Sequence, residues 1–176
     1  MLGIDPGTLA TGYGIVTRRG GDLVVLASGT VLNSGGTPLP ARLQNIYTKL
    51  RGIITQYAPT ECAIESAFYG KNAQSALKLG HARGVSMLAA VEQHLVTAEY
   101  SPREVKKAVV GNGNATKEQV QFMVRSLLQI DGPRMRMDAS DALAVALCHL
   151  HRCITPSRRR RDWKSYVEMH PERVRR

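Results

Sequence analysis

The 176 residues carry 24 Lys and Arg against 14 Asp and Glu, a formal charge of +10 and a pI near 10.0, and 43% of them are hydrophobic. This length and apolar content suit one globular domain with a substantial core and exclude a disordered chain, while the basic balance favours a polyanionic partner such as nucleic acid. The absence of a long apolar run or a leader-like start excludes a membrane span, and three cysteines without framework spacing exclude a disulfide scaffold, so the expectation is a reduced, cytoplasmic protein.

In chain order, three strand-like runs come first: "LGID" from Leu2, "GYGIVTRR" from Gly12 and "DLVVLASGTV" from Asp22. Glycine-rich turns between them predict an antiparallel meander. Pro6-Gly7 suits the centre of a type II turn, and Asp5 just before it is then a residue that hydrogen-bonds the turn backbone. "PARLQNIYTKLRGIITQYA" sets Leu43, Ile46, Leu50, Ile53 and Ile54 at helical spacing, and Pro59 marks its end. A buried strand, "ECAIES", follows, then a long helix in "SALKLGHARGVSMLAAVEQH" and a fifth strand in "LVTAEY". Two or three helices close the domain. Strands without helices followed by alternating helix and strand predict an α/β domain, a mixed sheet covered by helices.

The acids stand out against this layout. Asp5 and Glu65 each end an apolar strand where the backbone enters a loop, and "MDASDALAVALCHLH" offers Asp138 and Asp141 on one face of a helix's first turn. Asp138 is also a natural N-cap, and acids there complement the helix dipole. If the two strands lie side by side, four clustered carboxylates raise one another's pKa unless divalent cations neutralise them. An oxygen-only ligand set selects Mg²⁺ or Mn²⁺, suited to phosphodiester hydrolysis. "CHLHRC", from Cys148 to Cys153, is no zinc site: on a helix Cys148 and His151 share one face and His149 and Cys153 another.

Four stretches, "LGIDPGTLATGYG", "AIESAFYGKNAQSALKLGHARG", "EVKKAVVGNGNATKEQV" and "DASDALAVALCH", resemble in order the motifs of the RuvC family of Holliday-junction resolvases. The likeness spans residues 1–153 and implies a ribonuclease H-like fold, a five-stranded mixed sheet flanked by helices, in a homodimer. It places the family's catalytic and metal-binding acids on Asp5, Glu65, Asp138 and Asp141. It also implies two Mg²⁺ ions per subunit, with Mn²⁺ a substitute, and paired, symmetric nicks in four-way junction DNA that leave 5′-phosphate and 3′-hydroxyl ends. A branch-migration helicase complex is a further implied partner.

The resemblance makes Phe68 the aromatic that stacks on a base at the opened junction, with Tyr69, Lys71 and Asn72 beside it; for Tyr69, packing on the core is an equal alternative. Lys78, Arg83, Lys106, Lys107 and Lys117 complete the implied DNA contacts. Ala76, Gly80 and Gly84 form a small-residue stripe that permits close helix approach, either to the chain's own sheet or to a second copy; the family likeness favours the second copy. Thr116 and Gln119 are spaced as a capping box.

Residues 154–176 form a basic extension outside the family core, with a short helical face at Trp163, Tyr166 and Val167; from Ser157 onward eight basic and three acidic residues hold half of the net charge. A sugar-kinase-like ATPase shares the "DPGT" loop but needs a second such phosphate loop, which the sequence lacks. A ribonuclease H-like nuclease acting on RNA or other branched DNA, and a non-catalytic junction-binding module, remain alternatives.

Overall fold

The computed structural model describes residues 1–66, 73–131 and 135–154. Five strands, β1 (Leu2–Asp5), β2 (Ala10–Arg19), β3 (Asp22–Leu32), β4 (Glu61–Glu65) and β5 (Val96–Tyr100), form one sheet in the order β3-β2-β1-β4-β5. β1, β2 and β3 pair antiparallel, as the meander predicts, whereas β4 runs parallel to both β1 and β5. The parallel pairs need crossovers. Helices α1 (Leu39–Tyr57) and α2 (Ala73–Val91) supply them on one face, and α3 (Pro102–Val110), α4 (Lys117–Leu127) and α5 (Met137–Ile154) cover the other.

Strand alternation divides the core into two layers. Leu2, Ile4, Ile15, Cys62 and Ile64 face α1 and α2, meeting Ile46, Leu50 and Ile54 of α1 and Ala82, Ala89 and Ala90 of α2. Val16 and Ala63 face the opposite layer, with Val105, Val120, Val124, Leu143 and Leu147. The helix ends follow local chemistry. α1 stops where Ala58 turns left-handed and returns its N–H to the Ile54 carbonyl, one residue before Pro59. Ser101 with Glu104 and Thr116 with Gln119 form reciprocal capping boxes that open α3 and α4, each a local stabilisation of about 1 kcal/mol.

Two local expectations change. Positive φ occurs at Gly20, Gly21 and Gly111 but not at Gly7, so the Pro6-Gly7 segment is not a type II turn. Instead the Thr11 hydroxyl donates to the Gly7 carbonyl at 2.7 Å, and a Cβ at Gly7 would lie 2.3 Å from the Ala10 carbonyl oxygen. Glycine is required there by crowding rather than by dihedral angle. Second, α5 begins at Met137, which puts Asp138 inside the first turn rather than at the N-cap, and the helix continues through Ile154, one residue beyond the expected domain boundary. The remainder of the basic extension, 155–176, lies outside the described residues.

Candidate active site

β1 and β4 are parallel neighbours with Leu2, Gly3 and Ile4 opposite Cys62, Ala63 and Ile64. Equal strand lengths beyond that register bring Asp5 and Glu65 out at the same end of the sheet, where their carboxyl groups share a hydrogen bond. The loop leaving Asp5 is tied down: Thr11 holds Gly7, and the Asn33 amide donates to the Thr8 carbonyl at 3.1 Å.

α5 brings the other two acids. Ala63, Gly3 and Gly14 lie in one row across β4, β1 and β2, and Gly12 lies two residues along β2, so the sheet presents a trough almost without side chains. α5 lies in that trough. A Cβ at Gly3 would stand 2.1 Å from the Ala142 carbonyl oxygen, and one at Gly12 only 1.8 Å from that of Asp138. Backbone therefore rests on backbone, and the first turn of α5 is set down beside the ends of β1 and β4.

The result is a cavity of about 270 Å³ walled by Val105, Val120 and Ala144 and bearing Asp5, Glu65, Asp141, Lys106 and Lys117. Burial, reinforced by Glu65 and then Asp141, pushes the Asp5 carboxyl up to about 8, with Lys117 pulling the other way. Glu65 is raised as well, mainly by burial and further by Asp141, against the hydrogen bond from Asp5 and the nearby lysines. Lys117 Nζ donates to Asp141 Oδ2 at 3.3 Å, and that carboxylate holds the ammonium above the usual lysine range. Near neutral pH the acids thus retain a proton that a divalent cation would displace.

Hard carboxylate oxygens in mutual repulsion, opening to solvent, fit Mg²⁺ or Mn²⁺ in their chemistry. The fit is to an open site. Among the described residues no group of three or more acids, histidines or cysteines is closed into a ready metal cage. Asp138 stands apart from the cavity: its Oδ2 lies 3.7 Å from Arg136 Nε. The structure thus gathers Asp5, Glu65 and Asp141 directly and leaves Asp138 one turn away at the rim.

Of the basic residues singled out in the sequence, Lys106 and Lys117 reach the cavity, while Lys107 and Lys78 are exposed elsewhere on α3 and α2. Arg83 pairs with Glu99 and lines an adjoining hollow shared with Asp5, Glu65 and Ser66. Phe68, Tyr69, Lys71 and Asn72 lie outside the described residues. Gly80 and Gly84 face open space, with nothing within 4 Å of an added Cβ, so they do not pack on the chain's own sheet; Ala76, on the same helix, is half-buried. The apolar wall was missed in the sequence, although the "SPRE" capping signal that opens α3 was present. The helical reading of "CHLHRC" holds up to Ile154, and His149 is engaged by Tyr100 and Glu61.

Comparison with known proteins gives the same direction. The family model for crossover junction endodeoxyribonuclease RuvC matches residues 1–149. The chain is 43% identical to the protein of that name from Chloroherpeton thalassium, over 98% of this chain and 97% of the relative. It is 54% identical to the one from Syntrophotalea carbinolica, over 86% and 93%. Among solved structures, T. thermophilus RuvC in complex with Holliday junction substrate matches with a TM-score of 0.81 and 32% identity, covering 86% of this chain and 93% of that one. With its ribonuclease H-like sheet and acid-lined cavity matched by sequence and fold alike, the chain belongs to the RuvC family of crossover junction endodeoxyribonucleases.

Proposed function

We propose that this protein is a structure-selective endonuclease that resolves Holliday junctions in recombination and repair by paired, symmetric nicks. The observation that carries this reading is the convergence of Asp5, Glu65 and Asp141 with Lys106 and Lys117 on one open cavity, in a chain of this family. Asp5, Glu65, Asp138 and Asp141 would hold Mg²⁺, two ions per subunit. The chemistry that bound divalent cations supply is activation of water and relief of charge at the leaving 3′-oxygen. The protein's own part is electrostatic: the carboxylates orient the attacking side, while Lys106 and Lys117 attract and position the phosphate. Phe68 stacks on a base at the crossover, with Tyr69, Lys71, Asn72, Lys78, Arg83 and Lys107 on the DNA path. Residues 1–153 form the nuclease domain, and a branch-migration helicase complex is the protein partner.

Mixing the purified protein with a synthetic four-way junction and a matched linear duplex, in Mg²⁺, Mn²⁺ or EDTA, tests this reading. Paired nicks at the crossover with 5′-phosphate ends are expected in either metal and none in EDTA. Equal cutting of the linear duplex would overturn the substrate assignment, and binding without cutting would leave only a junction-binding module. No described helix is long and apolar enough to cross a membrane.

Paired nicking requires two sites related by symmetry. The exposed side of α2 supplies a self-complementary face: open Gly80 and Gly84 run between Leu77, 66% exposed, and Leu88 and Val91, 51% and 54% exposed. Small residues flanked by large apolar ones suit close helix packing against a second copy. Gly84→Arg is expected to sediment as a monomer and to lose coordinated nicking by about tenfold or more. A variant that stays dimeric in sedimentation would remove this face from the interface.

A further inference from the structure

We infer that His149 is a positioning residue for the acidic site, acting through a bridge between Tyr100 and Glu61. His149 lies on α5, beyond Asp141, and is 6% exposed, as is Tyr100. Its Nδ1 stands 2.6 Å from the Tyr100 hydroxyl and its Nε2 stands 2.6 Å from Glu61 Oε2. A carboxylate only accepts, so the Nε2–H donates to Glu61, while Nδ1 pairs with the Tyr100 hydroxyl, a group able to donate or accept. Each ring nitrogen therefore meets one polar partner.

The three residues belong to three elements, and two of those elements carry the acids. Glu61 opens β4, which closes on Glu65; Tyr100 closes β5 opposite Glu65, and its carbonyl accepts the Ser66 N–H at 2.8 Å. Through His149 the start of β4 and the end of β5 beside Glu65 are therefore tied to α5, the helix that carries Asp141. The trough of small residues sets how deeply α5 lies on the sheet, and Leu143 and Leu147 pack beneath it, but apolar contact is not directional. The directional bonds of His149 supply the missing restraint and so fix Asp141 against Glu65. Arg152 lies 5.0 Å above the Tyr100 ring and pairs with Glu104 at 2.7 Å.

The inference rests on the acidic site being catalytic, and the experiment separates the two. Single-turnover cleavage rates, junction affinity in EDTA and thermal melts are measured for the full chain carrying Tyr100→Phe, His149→Gln, both, Ile54→Val or Glu65→Gln. Tyr100→Phe removes one oxygen only and guards against a His149 variant that fails to fold. Each bridge variant is expected to cut about tenfold more slowly at unchanged affinity, and the double variant no more slowly than the slower single. Ile54→Val, buried in the α1 layer on the far face, is expected to melt earlier yet cut at the wild-type rate. Folded bridge variants that cut at the wild-type rate would reduce His149 to a packing residue and overturn the inference. Cutting by Glu65→Gln at the wild-type rate would instead overturn the site itself.

Discussion

Asp5→Asn is expected to stop strand cutting, with a single-turnover rate at least about 10³-fold lower, a loss of about 4 kcal/mol of transition-state stabilisation. Junction binding should persist, because the lysines proposed to meet the phosphates are untouched. The same substitution should stabilise the metal-free protein. Asp5 keeps its proton up to about 8 in the folded chain, against 3.8 when unperturbed, so between those values the folded state binds more protons than the unfolded state. Stability therefore falls as pH rises through that window and levels off above it. Asparagine has no proton to lose, which leaves the variant only the shallower decline due to Glu65, itself raised. Melting curves of both proteins in EDTA, from about pH 4 to about pH 9, should diverge progressively as pH rises. A constant gap would show that Asp5 is not the strained acid.

Gly12→Ala is expected to be the most damaging small substitution in the fold. Its new Cβ would stand 1.8 Å from the Asp138 carbonyl oxygen, well inside contact distance, and neither side can yield cheaply. β2 is held between β1 and β3, and α5 is backbone packed on backbone. Lifting the first turn of α5 should destabilise the protein by about 2–3 kcal/mol and displace both of its acids, so cleavage should fall about 100-fold or more. Gly52→Ala on α1 is the control: nothing lies within 4 Å of its Cβ, and relief of helix-interior glycine should raise stability by up to about 1 kcal/mol. Denaturant melts of the two variants should move in opposite directions, and only Gly12→Ala should slow single-turnover cutting; an unperturbed Gly12→Ala enzyme would show that α5 is free to shift.

Much of this architecture is legible because local signals agree with the packing. Apolar runs ending in Asp5 and Glu65 mark strand ends, helical spacing from Leu43 to Ile54 marks α1, and the Thr116 capping box opens α4 as read. What the chain could not disclose depends on partners distant in sequence. Gly12 reads as an ordinary strand glycine until Asp138 is placed on it, and the adjacency of Asp5 and Glu65 depends on the parallel pairing of β1 with β4. Gly7 carries the composition of a type II turn, yet its surroundings select it for close approach to Ala10. His149, set aside as a metal ligand on helix geometry, takes its meaning from Tyr100 and Glu61, neither of which is near it in sequence.

The trough beneath α5 also bears on motion. Where α5 meets Gly3 and Gly12 the contact is between main chains and has no rotamers to sample, and Leu143 and Leu147 are fully buried beneath it, so its central amides should exchange with solvent only when the whole domain opens. Asp141 is carried on that same slowly opening helix rather than on a surface loop, so the proposed site would be set in place before its substrate arrives.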